Sequence, residues 1–145
     1  MSEESYATPD LALVGEEHVR RYLETNGEVG HDWNGVPALL LTTKGRKTGE
    51  DRTSALIYGR LNDAYVVIAS MGGAPTHPMW YLNLVATPEV TSQVGADRFA
   101  ARARVAEGEE RIAGWEEMVE IWPNYDVYQS RTDRVIPVVI LERER

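Results

Sequence analysis

Three extended runs follow one another along the middle of the chain: residues 36–43 (VPALLLTT), 52–60 (RTSALIYGR) and 64–70 (AYVVIAS). The first is apolar or β-branched almost throughout, the second resumes an extended pattern and the third is again largely apolar, and polar turn-forming links carrying Gly45, Gly49 and the pair Asn62-Asp63 separate them. Strand, turn and strand in succession predict a contiguous antiparallel meander. The run at 36–43 has no polar alternation and reads as a strand buried on both faces.

The same patterning extends in both directions. Glu16 and Glu17 suit a helix start, Val19, Tyr22 and Leu23 share one face, and Asn26-Gly27 supplies a C-cap, which predicts a helix over 16–25. Before it, Thr8 followed by Pro9 and Asp10 predicts a short helical turn with Thr8 as N-cap. His18 reads as a solvated or partly buried helix residue. Beyond the meander, Gly72, Gly73 and Pro75 force a loop over 71–77, and Pro78 opens a helix to about residue 86 in which Trp80, Tyr81 and Leu84 pack as core. Residues 89–94 and 98–106 form a second hairpin, with Phe99, Ala101, Ala103 and Val105 inward. A helix over 107–121 turns Ile112, Trp115, Met118 and Val119 inward, and residues 134–141 (RVIPVVIL) form a last strand in which Pro137 marks an edge or bulge. Six strands with short inserted helices and no βαβ alternation predict a mainly β, α+β domain built as an antiparallel barrel. Residues 1–35 are its arm and first helix and 36–145 the barrel itself.

Composition narrows function. The chain has 145 residues, no cysteine and only three histidines, at 18, 31 and 77, so thiol chemistry and disulfides are excluded and no metal-ligating set is present. Its net charge of −8 argues against nucleic-acid binding. The longest stretch free of charged side chains, 64–88, is interrupted by Gly72, Gly73, Pro75 and Pro78 and does not read as a membrane span. With neither a span nor a secretory signal at the start, the expectation is a cytoplasmic protein.

Against that acidity stands one island of positive charge. Lys44, Arg46, Lys47, Arg52 and Arg60 face only Glu50 and Asp51, so residues 44–60 carry +3 and the remainder −11. The turn 45–49, GRKTG, lacks the G-x-x-x-x-G-K-[ST] register of a nucleotide-triphosphate loop. It does present guanidinium and ammonium groups beside glycines, the elements of a phosphate or carboxylate clamp; its alternative reading is a solvated hairpin tip. Ser70 with Gly72 and Gly73 closes a strand where bare backbone can approach a flat ligand, unless it is a plain strand-to-helix turn, and Asn83 reads as either an orienting donor or a surface residue. Trp122, Tyr125 and Tyr128 cluster after a helix end as core or as a wall for a conjugated substrate.

The segments LLLTTKGRKTGEDRTSALIY, VVIASMGGAPTHPMWYLNLVATPEV and PNYDVYQSRTDRVIPVVILE, in that order, resemble the deazaflavin (coenzyme F420)-dependent nitroreductase and quinone reductase family of actinobacteria, with its split β-barrel, flavin-binding-like fold. The resemblance runs over 36–142. It implies coenzyme F420, an 8-hydroxy-5-deazaflavin with an oligoglutamyl tail. Arg46, Lys47, Thr48 and Arg52 would hold phosphate and tail, and Ala69, Ser70, Met71, Gly72 and Gly73 would cradle the ring and ribityl chain. Members of that family commonly carry lysine where this chain has Met71. Trp122, standing where tyrosine is frequent, with Tyr125 and Tyr128, would face the substrate, and Tyr125, Tyr128 and Ser70 are the candidate catalytic groups. The implied reaction is hydride transfer from reduced deazaflavin to an electron-poor acceptor, namely a quinone, nitroaromatic or activated enone. Quinone use would bring peripheral membrane contact, and both monomer and homodimer are open. FMN in place of deazaflavin, or a non-catalytic carrier of deazaflavin or a haem-like ligand, are the competing readings.

Overall fold

The computed structural model describes residues 6–144. Helix α1 (Gly15–Thr25) leads into eight strands: β1 (Asp32–Trp33), β2 (Val36–Lys44), β3 (Asp51–Ile57), β4 (Gly59–Leu61), β5 (Ala64–Ile68), β6 (Glu89–Val94), β7 (Asp97–Val105) and β8 (Val138–Arg143). Helix α2 (Met79–Ala86) lies between β5 and β6, and α3 (Gly108–Ile121) and α4 (Asn124–Ser130) lie between β7 and β8. All pairings are antiparallel, in the order β1-β2-β6-β7-β8-β5-β4, with β3 also on β2. The sheet curls into the split barrel that the resemblance implied. Among the described residues β3 has β2 as its single ladder partner, so the barrel is unsewn between β3 and β5.

Two apolar layers result. Inside the curl, Leu39, Leu41, Tyr65, Val67, Phe99, Ala101, Ala103, Val139 and Leu141 pack together, and α2 closes one end with Trp80 and Leu84. Outside it, Val66, Ile68, Val138 and Ile140 on the opposite faces of β5 and β8 meet Met118 of α3 and Tyr125 and Tyr128 of α4. Strand β5 and residues 138–141 of β8 are therefore covered on both sides, which accounts for their apolar runs AYVVI and VVIL. Helix α1 is tied to the sheet through Tyr22. Its hydroxyl donates to the Ala38 carbonyl (3.0 Å) and accepts from the Gly95 N–H (2.7 Å).

Several expectations are corrected. Thr8 caps no helical turn: residues 6–10 are irregular, and Asn34 exchanges two hydrogen bonds with the Asp10 backbone there. The strand expected over 52–60 is two strands, because the chain steps aside at Tyr58. Two further strand assignments shift: β1 was unforeseen, and the last strand starts at Val138, after Pro137 rather than through it. On α3 the buried residues are Gly114 and Met118, while Ile112 lies exposed. The helix rolls onto Gly114, whose missing side chain admits Val138; a Cβ there would sit 2.8 Å from Val138 Cγ1. Val105, at the end of its strand, faces outward as well. The residues beyond Trp122 form the helix α4, which had not been assigned.

Candidate functional site

Two cavities open along the unsewn seam and share one side chain, Trp80. The first, about 310 Å³, lies between β3 (Ala55, Leu56, Ile57) and the end of β5 (Ile68, Ser70), under α1 and α4. The second, about 400 Å³, lies at the other end of β3.

The second cavity is the charged one. It is lined by Gly45, Arg46, Lys47, Thr48 and Arg52, together with Ser54, Met79 and Asn83. The turn is closed by Gly45 N–H to the Glu50 carbonyl (2.8 Å) and Gly49 N–H to the Gly45 carbonyl (2.8 Å). Asn83 fixes it from α2: its Oδ1 accepts from the Arg46 backbone N–H (3.1 Å) and its Nδ2 donates to Thr43 Oγ1 (3.2 Å). Asn83 is therefore not a surface residue: it is buried and holds the turn to α2. Arg52 has a loose partner in Glu50 at 3.4 Å, both side chains well exposed, so the pair contributes little to stability. Arg60 is not part of this patch. Its guanidinium stacks 4.1 Å from the Tyr65 ring and donates to the Asp63 carbonyl, so the positive island is divided in space.

The first cavity is apolar and aromatic. Ser70, Met71 and Gly72 line it from one side, Trp122, Tyr125 and Tyr128 from another, and His18 and Trp33 from a third. The fold thus brings together the glycine loop and the aromatic cluster, 50 residues apart in sequence. Tyr125 and Tyr128 meet edge to face at 5.9 Å, Trp33 and Trp122 meet tilted at 5.5 Å, and His18 stacks on Trp33 at 6.3 Å. Burial pushes both phenols up from their ordinary value, Tyr125 by a large margin. Trp122 Nε1 donates to the Tyr128 hydroxyl at 3.3 Å.

The loop from Ser70 to Ala74 has an unusual backbone. Met71, Gly72 and Gly73 all take positive φ, at 47°, 64° and 85°. For Met71 that conformation is strained. Gly73 has no alternative: a Cβ would lie 2.5 Å from the Tyr128 carbonyl oxygen. Neither Gly73 nor Ala69, which is wholly buried, lines the cavity; they stand behind its wall. None of His18, Trp33, Met79 and Arg134 stands out in the sequence as a site residue, and Trp80, expected as core, also walls both cavities. His18 is buried, with Nε2 2.8 Å from the Gly30 carbonyl, and no local motif marked it; only the path of α1 over the seam brings it there.

No helix among the described residues is long and apolar enough to cross a membrane. A family model described as F420H(2)-dependent quinone reductase matches residues 14–143. An F420H(2)-dependent quinone reductase of Mycobacterium tuberculosis is 45% identical over 130 residues, 87% of each chain. A solved F420-H2 dependent reductase superposes with a TM-score of 0.68 at 45% identity, covering 73% of this chain and 94% of its own. Another solved structure, a domain-swapped dimer, does so with a TM-score of 0.71 at 42% identity, over 87% and 95%. The match spans almost all of the described chain, from α1 to the end of β8, and the chain belongs to the F420H(2)-dependent quinone reductase family.

Proposed function

We propose that this chain is an F420H2-dependent oxidoreductase that delivers a hydride to a quinone. The observation that carries the reading is the pairing of two cavities across Trp80, one flat-walled and aromatic, the other cationic. A ligand with a planar ring and an anionic tail fits that pair, and coenzyme F420 has both. Reduced deazaflavin supplies the hydride when bound. Ser70, Met71 and Gly72 would support the ring, while Arg46, Lys47, Thr48 and Arg52 would hold phosphate and tail as charge-assisted donors. Met71 brings no cation to that wall, so the anion-holding role falls on the turn. Ala69 and Gly73 would act through the loop's shape rather than by contact.

Trp122, Tyr125 and Tyr128, with Trp33 and His18, would exclude water and stack a flat acceptor. A quinone reduced by hydride also takes a proton, and Tyr125, Tyr128 or Ser70, which all line the same cavity, would be its source. Nitroaromatics and activated enones, flat and electron-poor like quinones, would be alternative acceptors. Leu11, Val14 and Met71 are exposed apolar side chains, the last two at the cavity mouth, which suits delivery of a lipid-borne acceptor at a membrane surface.

The test is a titration with F420 and with FMN, followed by absorbance during oxidation of F420H2 by a menaquinone analogue. Micromolar or tighter F420 binding, much weaker FMN binding and steady oxidation are expected. Tighter binding of FMN would move the assignment to flavin chemistry. Binding without oxidation across quinones, nitroaromatics and enones would make the protein a carrier.

A further inference from the structure

We infer that Arg134 is the positioning residue for the ring-side wall, holding the Ser70–Ala74 backbone in its ligand-ready shape before any ligand arrives. Within the loop only two hydrogen bonds are internal, Gly73 N–H to the Ser70 carbonyl (3.0 Å) and Ala74 N–H to the Met71 carbonyl (3.1 Å). Those two leave three successive positive-φ residues, one of them not glycine, with little to hold them.

The guanidinium of Arg134 supplies what is missing. Its Nε donates to the Ala74 carbonyl at 2.7 Å, Nη2 to the Ser70 carbonyl at 2.6 Å and Nη1 to the Ala69 carbonyl at 3.1 Å. Nη1 also meets His77 Nδ1 at 3.2 Å, which ties down the far end of the loop. One planar fork therefore reads four acceptors spread over nine residues, a task an ammonium on a flexible stem cannot reproduce. No carboxylate pairs with Arg134 among the described residues; the carbonyl oxygens solvate the cation instead.

The arginine is itself placed from α4. Gln129 Nε2 donates to the Arg134 carbonyl (2.8 Å) and Gln129 Oε1 accepts from the Ile136 N–H (2.9 Å). The helix that carries Tyr125 and Tyr128 thereby sets the side chain that shapes the opposite wall. Arg131 adds a bond to the Gly72 carbonyl at 3.2 Å from the same segment. Arg134 touches neither cavity, so it acts through the loop.

The ligand arm of this inference rests on the proposed F420 function; the loop arm does not. Arg134→Ala and Arg134→Lys are compared with the parent by amide hydrogen exchange without ligand, by F420 titration, and by kcat and KM for F420H2. Exchange at the Gly73 and Ala74 amides should rise about tenfold or more in both variants, with the β5 and β8 amides unchanged. F420 binding should weaken about tenfold or more, with KM rising and kcat nearly constant, and millimolar methylguanidinium should restore Arg134→Ala but leave Arg134→Lys deficient. Parent-like exchange in both variants, or a uniform rise that includes β5 and β8, overturns the inference, as does full rescue by lysine. If Arg134→Ala does not fold, Arg134→Lys alone decides on the same readouts. If the parent binds no F420, the function fails and exchange still judges the clamp.

Discussion

The two cavities along the seam are built on opposite principles. The aromatic one is assembled from α1, β3, the loop after β5, and α4, and its polar backbone is held by Arg134 from behind. The cationic one is a hairpin turn set against α2, whose charged groups stand in solvent and whose backbone is anchored by the buried Asn83. The first commits many residues to one shape; the second commits few and relies on charge. Such a division lets selectivity for an anionic tail be set by solvent-exposed side chains that cost the fold little, while the reacting end is held by packing.

Charge reversal should separate the two most sharply. The double substitution Arg46→Glu with Lys47→Glu is expected to weaken F420 binding by about 3–4 kcal/mol, several hundred-fold, with thermal stability within about 0.5 kcal/mol of the parent. Fluorescence titration and a melt measured together check it, and a large drop in stability would erase the contrast. Gly73→Ala attacks the other cavity: the clash with the Tyr128 carbonyl and the positive φ should cost about 2–4 kcal/mol of stability in denaturant unfolding. Asn83→Ala tests the buried anchor of the charged turn. About 2 kcal/mol of stability should be lost and F420 affinity should fall with it, since Thr43 and the Arg46 N–H both lose their partner.

Smaller effects are expected at the acceptor wall. Tyr125→Phe with Tyr128→Phe should lower kcat for a menaquinone analogue about tenfold while leaving F420 affinity in place; an unchanged kcat would assign the proton to water. The smallest effect concerns His77. Burial, reinforced by the Arg134 charge, holds its imidazole below the ordinary 6.5, and the neutral ring accepts from Arg134. The unfolded chain binds that proton more readily, so the contribution is complete above pH 6.5 and is lost as pH falls below it. Arg134 and the Tyr81 ring, 4.7 Å away, are the groups that face it. F420 affinity should drop a few-fold between pH 7 and pH 5, and less so in His77→Asn.

The sequence disclosed the barrel well because strands covered on both sides or on one side leave different periodicities. Residues 36–43 and 98–104 showed those two patterns plainly. The turn 45–49 was visible because its charge stands alone in an acidic chain. The loop could be located from Gly72 and Gly73, but not its shape, since Met71 at positive φ violates the preference that sequence reading depends on. Arg134 was illegible for another reason: its four acceptors are backbone carbonyls and an imidazole some 60 residues away, and carbonyls carry no residue signature. Trp33 and His18 reach the cavity only because α1 crosses the seam, a matter of chain path rather than local pattern. The positive island was over-read as one feature, since β4 carries Arg60 away from the turn.

The unsewn edge of β3 is a place where another strand could add. An open strand edge invites strand addition from another molecule. Here the apolar half of β3 is covered by α1, while the exposed half begins with Asp51 and Arg52, charges that discourage a docking strand. The first helix thus covers part of an open edge as well as walling the first cavity, and shortening the chain ahead of β1 would bare that edge and open that wall at once.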